Sequence, residues 1–295
     1  NGSVENNTVR IFASAEYKPV QSFIINAGGY FEADRLTGAS FSPRIAVNQH
    51  LDDNNTIRFV VSRANRTPNL VEKRADWSYL ITDLTPTIRG ATQAYFAQST
   101  RSTVDLQAES ILSREIGYTG NFPQHGLMID IKITDDKLSS LFSQRLQLNG
   151  TGYSNQSDVR LWGAEFQVEY QPTDSWTVHA GYSYLLSDAT NPAEQYQYSK
   201  NSGVLAISHT LDSGWRASVG IYKSDAAPSG QGAFGKQEVT FSKKYRLGKD
   251  MTVTPSFTAS HLDSTSITYV FDTNRSAENR YANQTQYMVG ARITF

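Results

Sequence analysis

Residues 162–185 read WGAEFQVEYQPTDSWTVHAGYSYL and contain two stretches of alternating polarity around a short polar segment. From Trp162 to Tyr170 every second residue is apolar or aromatic, and the residues between them are glycine, glutamate or glutamine. From Trp176 to Tyr184 the same alternation recurs against small and polar residues. A period of two predicts β-strands with one apolar and one polar face. The proline, aspartate and serine in QPTDS are typical of a tight turn.

The same pattern recurs along the chain and predicts thirteen strands. They cover residues 7–17, 20–31, 41–50, 55–64, 110–121, 124–133, 158–170, 174–187, 202–211, 214–223, 236–246, 251–261 and 284–295. Short turns are expected at 17–21, 50–55, 121–125, 170–175, 210–214 and 246–250. They alternate with polar segments at 32–40, 65–109, 134–157, 188–201, 224–235 and 262–283, of which the first is shorter than the others.

This alternation of connection lengths indicates the architecture. Outer-membrane barrels have short periplasmic turns and long extracellular loops, and their strands average out to a polar hydropathy. The mean hydropathy of -0.45 is compatible with such strands. We therefore predict an all-β fold, a transmembrane antiparallel β-barrel with about thirteen strands visible in one domain over residues 1–295. A soluble sandwich or propeller also alternates, but strands this long with aromatic ends are less typical of those folds.

Composition excludes several other classes of protein. The chain has 27 basic and 28 acidic residues, so it lacks the excess of positive charge that would attract nucleic acid. It has no cysteine, which removes disulfides, thiolate metal sites and cysteine nucleophiles. No stretch of about 18 apolar residues occurs, and the first residues, NGSVENNTVR, do not resemble a signal peptide.

The last residues, QYMVGARITF, form the most sharply two-faced strand. Its apolar side is Tyr287, Val289, Ala291, Ile293 and Phe295. A terminal aromatic preceded by apolar residues at every second position resembles the signature by which barrel-assembly machinery recognises outer-membrane proteins. The resemblance implies an assembly signal and an outer-membrane location in a Gram-negative bacterium.

Two further segments resemble the barrel of TonB-dependent receptors. The matching residues are Ser42, Pro43 and Arg44, then Arg66, Pro68, Leu70 and Glu72, then Leu106, Glu109, Glu115, Gly117 and Tyr118. Residues 162–185 resemble a later strand pair of the same family, so the resemblance covers about 40–295. It implies a receptor and transporter for a scarce chelated nutrient, most readily a ferric siderophore, with TonB-coupled import through a plug domain.

The family's barrel has 22 strands around a plug, and the chain has no counterpart of the plug or of about nine strands. Thirteen antiparallel strands cannot close by themselves without one parallel pair. We therefore expect the chain to be the C-terminal part of a larger barrel. The alternative is a smaller barrel that is closed by a further strand near residue 1. Two other functions stay open: a plugless passive or export pore, and a barrel for adhesion or assembly.

Long polar segments carry the candidate ligand-binding residues. Aromatic and arginine side chains suit an anionic, partly aromatic chelate through stacking, cation–π contact and bidentate hydrogen bonds. The candidates are Arg74, Trp77, Tyr79, Arg89, Tyr95, Phe96, Arg101 and Tyr153. Their alternative role is to pack the segment on itself or to face the phosphates of lipopolysaccharide.

Alternation also predicts charged residues that face a lumen or a plug. They are Arg44, Arg58, Glu115, Glu165, Glu169, Arg216 and Arg292. We predict no catalytic residues, no metal site and no cofactor, since the five histidines do not converge with serine and aspartate. His261 with Asp263, and Asp135 with Asp136 in the segment 134–157, are the nearest approach to an acid/base pair. The expected partners are outer-membrane lipid and lipopolysaccharide, a small-molecule chelate, the TonB complex and the assembly machinery.

Overall fold

The fold is known from a computed structural model. It describes residues 6–35, 38–69, 72–73, 79–85, 87, 90–96, 106–143, 154–190, 198–227, 233–248, 250–264, 267–268, 279–280 and 284–294. Within these residues, no helix is long and apolar enough to cross a membrane.

Nearly all of the described chain is β-strand. The strands are β1 (Thr8–Val20), β2 (Phe23–Asp34), β3 (Gly38–His50), β4 (Asn55–Arg66), β5 (Tyr79–Ile81), β6 (Ala94–Phe96), β7 (Glu109–Phe122), β8 (Leu127–Ser143), β9 (Ser154–Thr173), β10 (Trp176–Ala189), β11 (Asn201–Thr210), β12 (Trp215–Ser224), β13 (Phe234–Lys243), β14 (Tyr245–Leu247), β15 (Met251–Ser264), β16 (Ile267–Thr268), β17 (Asn279–Arg280) and β18 (Gln284–Thr294).

Fourteen of these strands form one antiparallel sheet in which neighbours in space are neighbours in sequence. The order is β1-β2-β3-β4-β7-β8-β9-β10-β11-β12-β13-β15, with β18 on β15 and the short β14 continuing the line of β13. All thirteen predicted strands are confirmed, and the fourteenth arises because the eleventh is broken at Lys244. Two small hairpins, β5–β6 and β16–β17, lie within long segments that were predicted as loops.

The register gives the sheet two chemically different faces. On the polar face Arg58 lies opposite Asn48, Glu165 opposite Lys132, and Arg292 opposite Thr254. The other face, here named the apolar face, carries exposed aromatic and aliphatic side chains. Among them are Ile11, Phe41, Phe59, Ile133, Trp162, Val219 and Val289. Val289 is 83% exposed, which suits a side chain that meets lipid rather than water.

The short turns are closed by local hydrogen bonds. In the β3–β4 turn, Asp52 accepts the backbone N–H groups of Asn54 and Asn55 at 2.8 Å each. The β7–β8 connection is a 3-10 turn, Pro123–His125, followed by Gly126 at φ 58°. Gly126 also accepts the N–H of Gln171 at 2.7 Å, so the backbones of two adjacent turns touch. Glycine is required there because a Cβ would lie 2.0 Å from the carbonyl oxygen of Gln171.

The predicted polar segment 134–157 is wrong over much of its length, because β8 runs to Ser143 and β9 begins at Ser154. The strands continue past the point where their apolar alternation stops. Their polar ends are held by the ladder and by side chains, as where Asp158 accepts the N–H of Ser140 at 2.8 Å. A register shift between Leu138 and Leu141 accommodates Ser140, whose φ is 59°. Hydropathy alone does not identify the part of a strand that extends beyond the bilayer.

Candidate functional site

An ion pair on the polar face joins β4 to the Glu115-x-Gly117-Tyr118 stretch of β7. Arg58 on β4 donates from Nε to Oε1 of Glu115 on β7 at 2.8 Å, and its second nitrogen contacts the same oxygen. Arg58 is directly opposite Gly117 in the register. A Cβ on Gly117 would lie 3.4 Å from the guanidinium, at ordinary van der Waals contact, so the guanidinium of Arg58 lies over the backbone of Gly117.

Further polar contacts lie on the same face. Lys132 contacts Glu165 at 2.7 Å, and His179 lies 3.7 Å from Glu169. Arg216 donates to the hydroxyl of Ser208 at 2.7 Å. The seven residues predicted to face a lumen thus lie on one face; whether that face meets a plug stays a prediction.

A concavity of about 660 Å³ lies on this face between β1 and β4. Arg44 lines it together with Glu16, Asn26, Asn48 and Arg58. Gly28 also lies in its wall, and a Cβ there would meet the carbonyl oxygen of Ala13 at 3.0 Å. Cations, an acid and amides around a shallow concavity can form hydrogen bonds with a polar surface placed against them.

At the end of the sheet that carries the long segments, Arg66 binds two carboxylates. Its Nε contacts Glu109, which lies opposite on β7, and another of its nitrogens donates to Glu72 at 3.0 Å. The guanidinium also lies 4.4 Å from the ring centroid of Phe142. Glu109 in turn accepts the N–H of Phe142 at 2.6 Å. Arg66 therefore holds together the two ends of the segment between β4 and β7 and the end of β8.

Two reciprocal hydrogen bonds close the turn that follows Arg66. Asn69 accepts the N–H of Glu72 at 2.8 Å, and Glu72 accepts the N–H of Asn69 at the same distance. This reciprocal pairing is a capping box. The Arg-x-Pro-x-Leu-x-Glu motif therefore encodes a clamp at the base of the segment.

Glu32 is a second centre of this rim and was not among the residues predicted from the sequence. Its carboxylate accepts hydrogen bonds from Arg10 at 2.7 Å, Tyr30 at 2.8 Å and Thr67 at 2.8 Å. Thr67 follows Arg66, so β1 and β2 are tied to the same segment. The alternation of FIINAGGYFEAD, which places Glu32 with Asn26 and Tyr30 on one face, contained the signal. We name Arg66, Glu72, Glu109, Glu32 and Thr67 the rim clamp.

The other end of the segment is also anchored. Asn155 on β9 accepts the N–H of Gln107 at 2.8 Å and donates to its carbonyl at 2.9 Å. Asn155 donates as well to the carbonyl of Ser140 at 2.6 Å, and Leu106 is buried at 3% exposure.

Within the segment, three of the predicted ligand-binding residues share one hairpin. Tyr79 on β5 lies opposite Phe96 on β6, and Leu80 lies opposite Tyr95. The backbone thus brings Tyr79, Tyr95 and Phe96 together. The remaining candidates, Arg74, Trp77, Arg89, Arg101 and Tyr153, lie outside the described residues.

The residues of the two acid/base pairs considered from the sequence lie in β-strands, β8 and β15. Asp135 and Asp136 are consecutive residues of β8 rather than of a loop, so their side chains point to opposite faces. Asp135 is bound by Arg114 and Arg160. His261 is in β15 and its Nδ1 lies 3.0 Å from the hydroxyl of Thr285. Among the described residues, no group of three or more His, Asp or Glu side chains is placed to hold a metal ion.

The proposed assembly residues lie on β18. Tyr287, Val289, Ala291 and Ile293 pair with Ala259, Phe257, Pro255 and Val253 of β15 and share the apolar face. Tyr287 lies with its ring centroid 6.3 Å from that of Phe257. Phe295 lies outside the described residues.

The sequence matches the family described as TonB dependent receptor-like, beta-barrel over residues 1–277. The chain belongs to the TonB-dependent receptor β-barrel family. It is therefore a receptor-type β-barrel of the outer membrane of a Gram-negative bacterium. No curated protein sequence matches the chain at a significant level.

Solved structures of this fold agree. The siderophore receptor PirA from Pseudomonas aeruginosa aligns with a TM-score of 0.66 and 14% identity, over 98% of this chain and 48% of that one. The copper transporter OprC gives 0.68 and 14%, over 98% and 48%. The ferric-catecholate import receptor Fiu from Escherichia coli K12 gives 0.67 and 12%, over 98% and 44%. The chain thus spans less than half the length of each of these three proteins.

Proposed function

We propose that the chain is the C-terminal part of a TonB-dependent receptor that imports a scarce chelated nutrient, with a ferric siderophore as the ligand. The observation that carries the proposal is the rim clamp, which ties the base of a long, aromatic- and arginine-rich segment to strands β2, β4 and β7. The names of related structures, which include siderophore receptors and a ferric-catecholate import receptor, favour the same ligand class.

In this proposal the residues of 65–109 bind the chelate. Arg74, Arg89 and Arg101 supply cationic and bidentate donors, and the aromatic residues stack on the ligand. Tyr79 and Phe96 contribute together because they lie directly opposite each other in the β5–β6 hairpin, whereas Tyr95 is paired with Leu80 and belongs to the other face of that hairpin. Tyr153, which precedes Ser154 in the sequence, belongs to the neighbouring segment and supplements this surface.

The polar face is proposed to line the barrel and to hold a plug domain. Ion pairs such as Arg58–Glu115 and Lys132–Glu165 are only partly buried, with Arg58 39% and Glu165 53% exposed. Partly exposed pairs exchange partners at small cost, since water replaces the lost contacts. Such pairs can form bonds with a plug and remake them when TonB moves it.

The two edge strands of the sheet favour the proposal of a larger barrel. Within the described residues, β1 pairs only with β2, and β18 only with β15. An unpaired strand edge in lipid leaves backbone N–H and C=O groups without partners. We propose that further strands of the same receptor cover both edges, and that barrel-assembly machinery recognises β18 through Tyr287, Val289, Ala291, Ile293 and Phe295.

Uptake of radioactive iron tests the function. The full-length protein is expressed in a Gram-negative strain that lacks its own siderophore receptors, with TonB present or deleted, and supplied with ferric catecholate and ferric hydroxamate chelates. We expect uptake of one chelate class that is lost without TonB. Uptake that persists without TonB would identify a passive pore instead, and binding to cells without any uptake would favour the adhesion barrel.

A further inference from the structure

Another concavity of the polar face, of about 480 Å³, lies across β9 to β13. We name it the serine cleft, after Ser183, Ser202 and Ser224, which line it. In the register Ser183 lies directly opposite Ser202, and Ser202 opposite Ser224. Glu165 of β9 continues this row on one side, and Phe234 of β13 continues it on the other. The cleft therefore has a floor of small side chains between two larger ones.

A second row crosses the cleft two residues nearer the short turns. Gln167 lies opposite Gly181, and Val204 lies between Gly181 and Tyr222. A Cβ on Gly181 would lie 3.1 Å from Cγ1 of Val204, so a larger residue at this position would crowd the floor. The ring of Tyr222 lies along β12, because a Cβ on Gly220 would be 3.1 Å from it. Three strand spacings, about 14 Å, separate the backbones that carry Gln167 and Tyr222.

Several hydrogen-bonding groups in the serine cleft have no protein partner. Within the residues that the structure describes, the side chains of Gln167, Ser183 and Ser202 form no hydrogen bond, and neither does the phenol of Tyr222. Amide and hydroxyl groups both donate and accept. A ligand that displaces water from them must offer donors and acceptors in return, since unmatched polar groups weaken binding. The cleft therefore suits a polar ligand and not an apolar one.

The charges around the cleft balance. The residues that line it include the acids Asp130 and Glu165 and also Lys223. Glu165 is paired with Lys132 at 2.7 Å. His179 lines the cleft as well and lies 3.7 Å from a carboxylate outside it. Two acids thus lie with two lysines, so the cleft has no excess charge that would attract an anion or a cation.

The serine cleft opens toward the end of the sheet that carries the long segments. Ser202 is the second residue of β11, Ser224 is the last residue of β12, and Phe234 is the first residue of β13. Phe234 is 41% exposed, so its ring is available to a ligand. The cleft can therefore be reached from the side on which the chelate is proposed to bind.

We propose that the serine cleft binds a saccharide, a neutral group rich in hydroxyls. Each sugar hydroxyl donates and accepts, which matches Gln167, Ser183 and Ser202. The C–H face of a sugar ring packs on an aromatic ring, which Tyr222 and Phe234 supply. A cavity of this size is in the range that small ligands occupy. The inference rests on the proposed function, because the sugar arrives either as a glucosyl group of the imported chelate or as a free oligosaccharide.

Isothermal titration calorimetry with purified full-length protein in detergent tests the site. The probes are a ferric tricatecholate, the same chelate with glucosyl groups on its catechol rings, and maltohexaose. Wild-type protein should bind the glucosylated chelate about tenfold more tightly than the plain one, as expected of about two added hydrogen bonds. Ser202→Leu fills the cleft and should remove this preference without changing the affinity for the plain chelate. Gln167→Leu removes one bonding group and should reduce the preference about threefold.

Ser256→Leu is the matched control. Ser256 lies on the polar face of β15, outside the cleft, opposite Ser242 and Gly290. The substitution adds the same bulk to the same face and should leave the full preference for the glucosylated chelate. Heat-modifiable migration on gels confirms that each variant has folded.

The probes separate the two sources of sugar and the rival occupant, a plug. If neither chelate binds but maltohexaose does, and Ser202→Leu abolishes that binding, the source is a free oligosaccharide; the siderophore proposal then fails while the site stands. Equal affinity for both chelates without maltohexaose binding overturns the inference. So does a preference that survives Ser202→Leu or is lost equally in Ser256→Leu. Equal weakening of both chelates by Ser202→Leu would assign the cleft to a plug, and this result, like binding of no probe, also overturns it.

Discussion

Arg66 and Glu109 lie directly opposite each other on β4 and β7, although 43 residues of chain separate them. The ion pair closes the base of the segment that carries most of the proposed ligand-binding residues. Glu109 is the less exposed partner, at 14% against 52% for Arg66. It also accepts the N–H of Phe142, so its loss frees two neighbouring segments at once.

Glu109→Gln should loosen this base without unfolding the sheet. A partly exposed ion pair with a second hydrogen bond stabilises the closed segment by about 1 kcal/mol, so the segment should open about fivefold more often. Limited proteolysis with mapping of the cut sites measures the opening. The control Glu238→Gln removes the partner of Lys236 on β13 and should leave cleavage in 67–108 unchanged. Equal cleavage in both variants would show that the clamp does not hold the segment.

Deletion of 74–101 should abolish binding of the chelate to cells, because it removes Arg74, Trp77, Arg89 and the β5–β6 hairpin. The rim clamp and all fourteen strands of the main sheet lie outside the deletion, so heat-modifiable migration of the barrel should persist. Binding is measured with radioactive ferric chelate at low temperature. A folded deletion variant that still binds the chelate would discard the loop as the ligand site.

Gly126→Ala should destabilise the barrel more than Gly248→Ala. Both glycines have positive φ, at 58° and 76°, which costs about 1 kcal/mol for alanine. Around Gly248 nothing lies within 4 Å of a built Cβ, whereas at Gly126 the Cβ would meet the Gln171 carbonyl oxygen at 2.0 Å. We expect an additional loss of about 2 kcal/mol at Gly126 because the β7–β8 connection must separate from the end of β9 that leads into the β9–β10 turn. Urea unfolding in detergent compares the two; equal midpoints would contradict the close approach.

The β3–β4 turn should respond to acid through Asp52. The N–H groups of Asn54 and Asn55 and the amide of Asn55 hold the pKa of Asp52 below its ordinary value. A lowered folded-state pKa contributes stability above the unfolded value of about 3.9, and that stability is lost as pH falls through the lower folded value. The amide proton resonance of Asn54 should therefore shift only below about pH 4. Asp52→Asn should remove this titration, and Asp53→Asn should leave it in place.

Orientation can be measured with inserted epitope tags. A tag near residue 145, beyond the end of β8, should be accessible on intact cells, because long connections of such barrels are extracellular. A tag at residue 172, next to the β9–β10 turn, should become accessible only after the outer membrane is opened. The reverse result would invert the topology and would place the rim clamp in the periplasm.

The sequence by itself determined the strands, their faces and the membrane architecture. A period of two is a local property, so Trp162 to Tyr170 and Trp176 to Tyr184 could be assigned without knowing what they pair with. The alternation of turn and segment lengths then predicted which end of each strand meets which side of the membrane. The charges Arg58, Glu115 and Glu165 were placed on the polar face by the same argument.

Only the tertiary structure decided which of those charges meet. Glu32 with Thr67, Arg66 with Glu109, and Lys137 beside Arg160 come together through strand register, and a shift of one residue would turn each pair apart. The ends of β8 and β9 likewise depend on ladder hydrogen bonds that polar residues make as well as apolar ones. Local polarity specifies which face a residue occupies, whereas its partners depend on contacts between residues far apart in the chain.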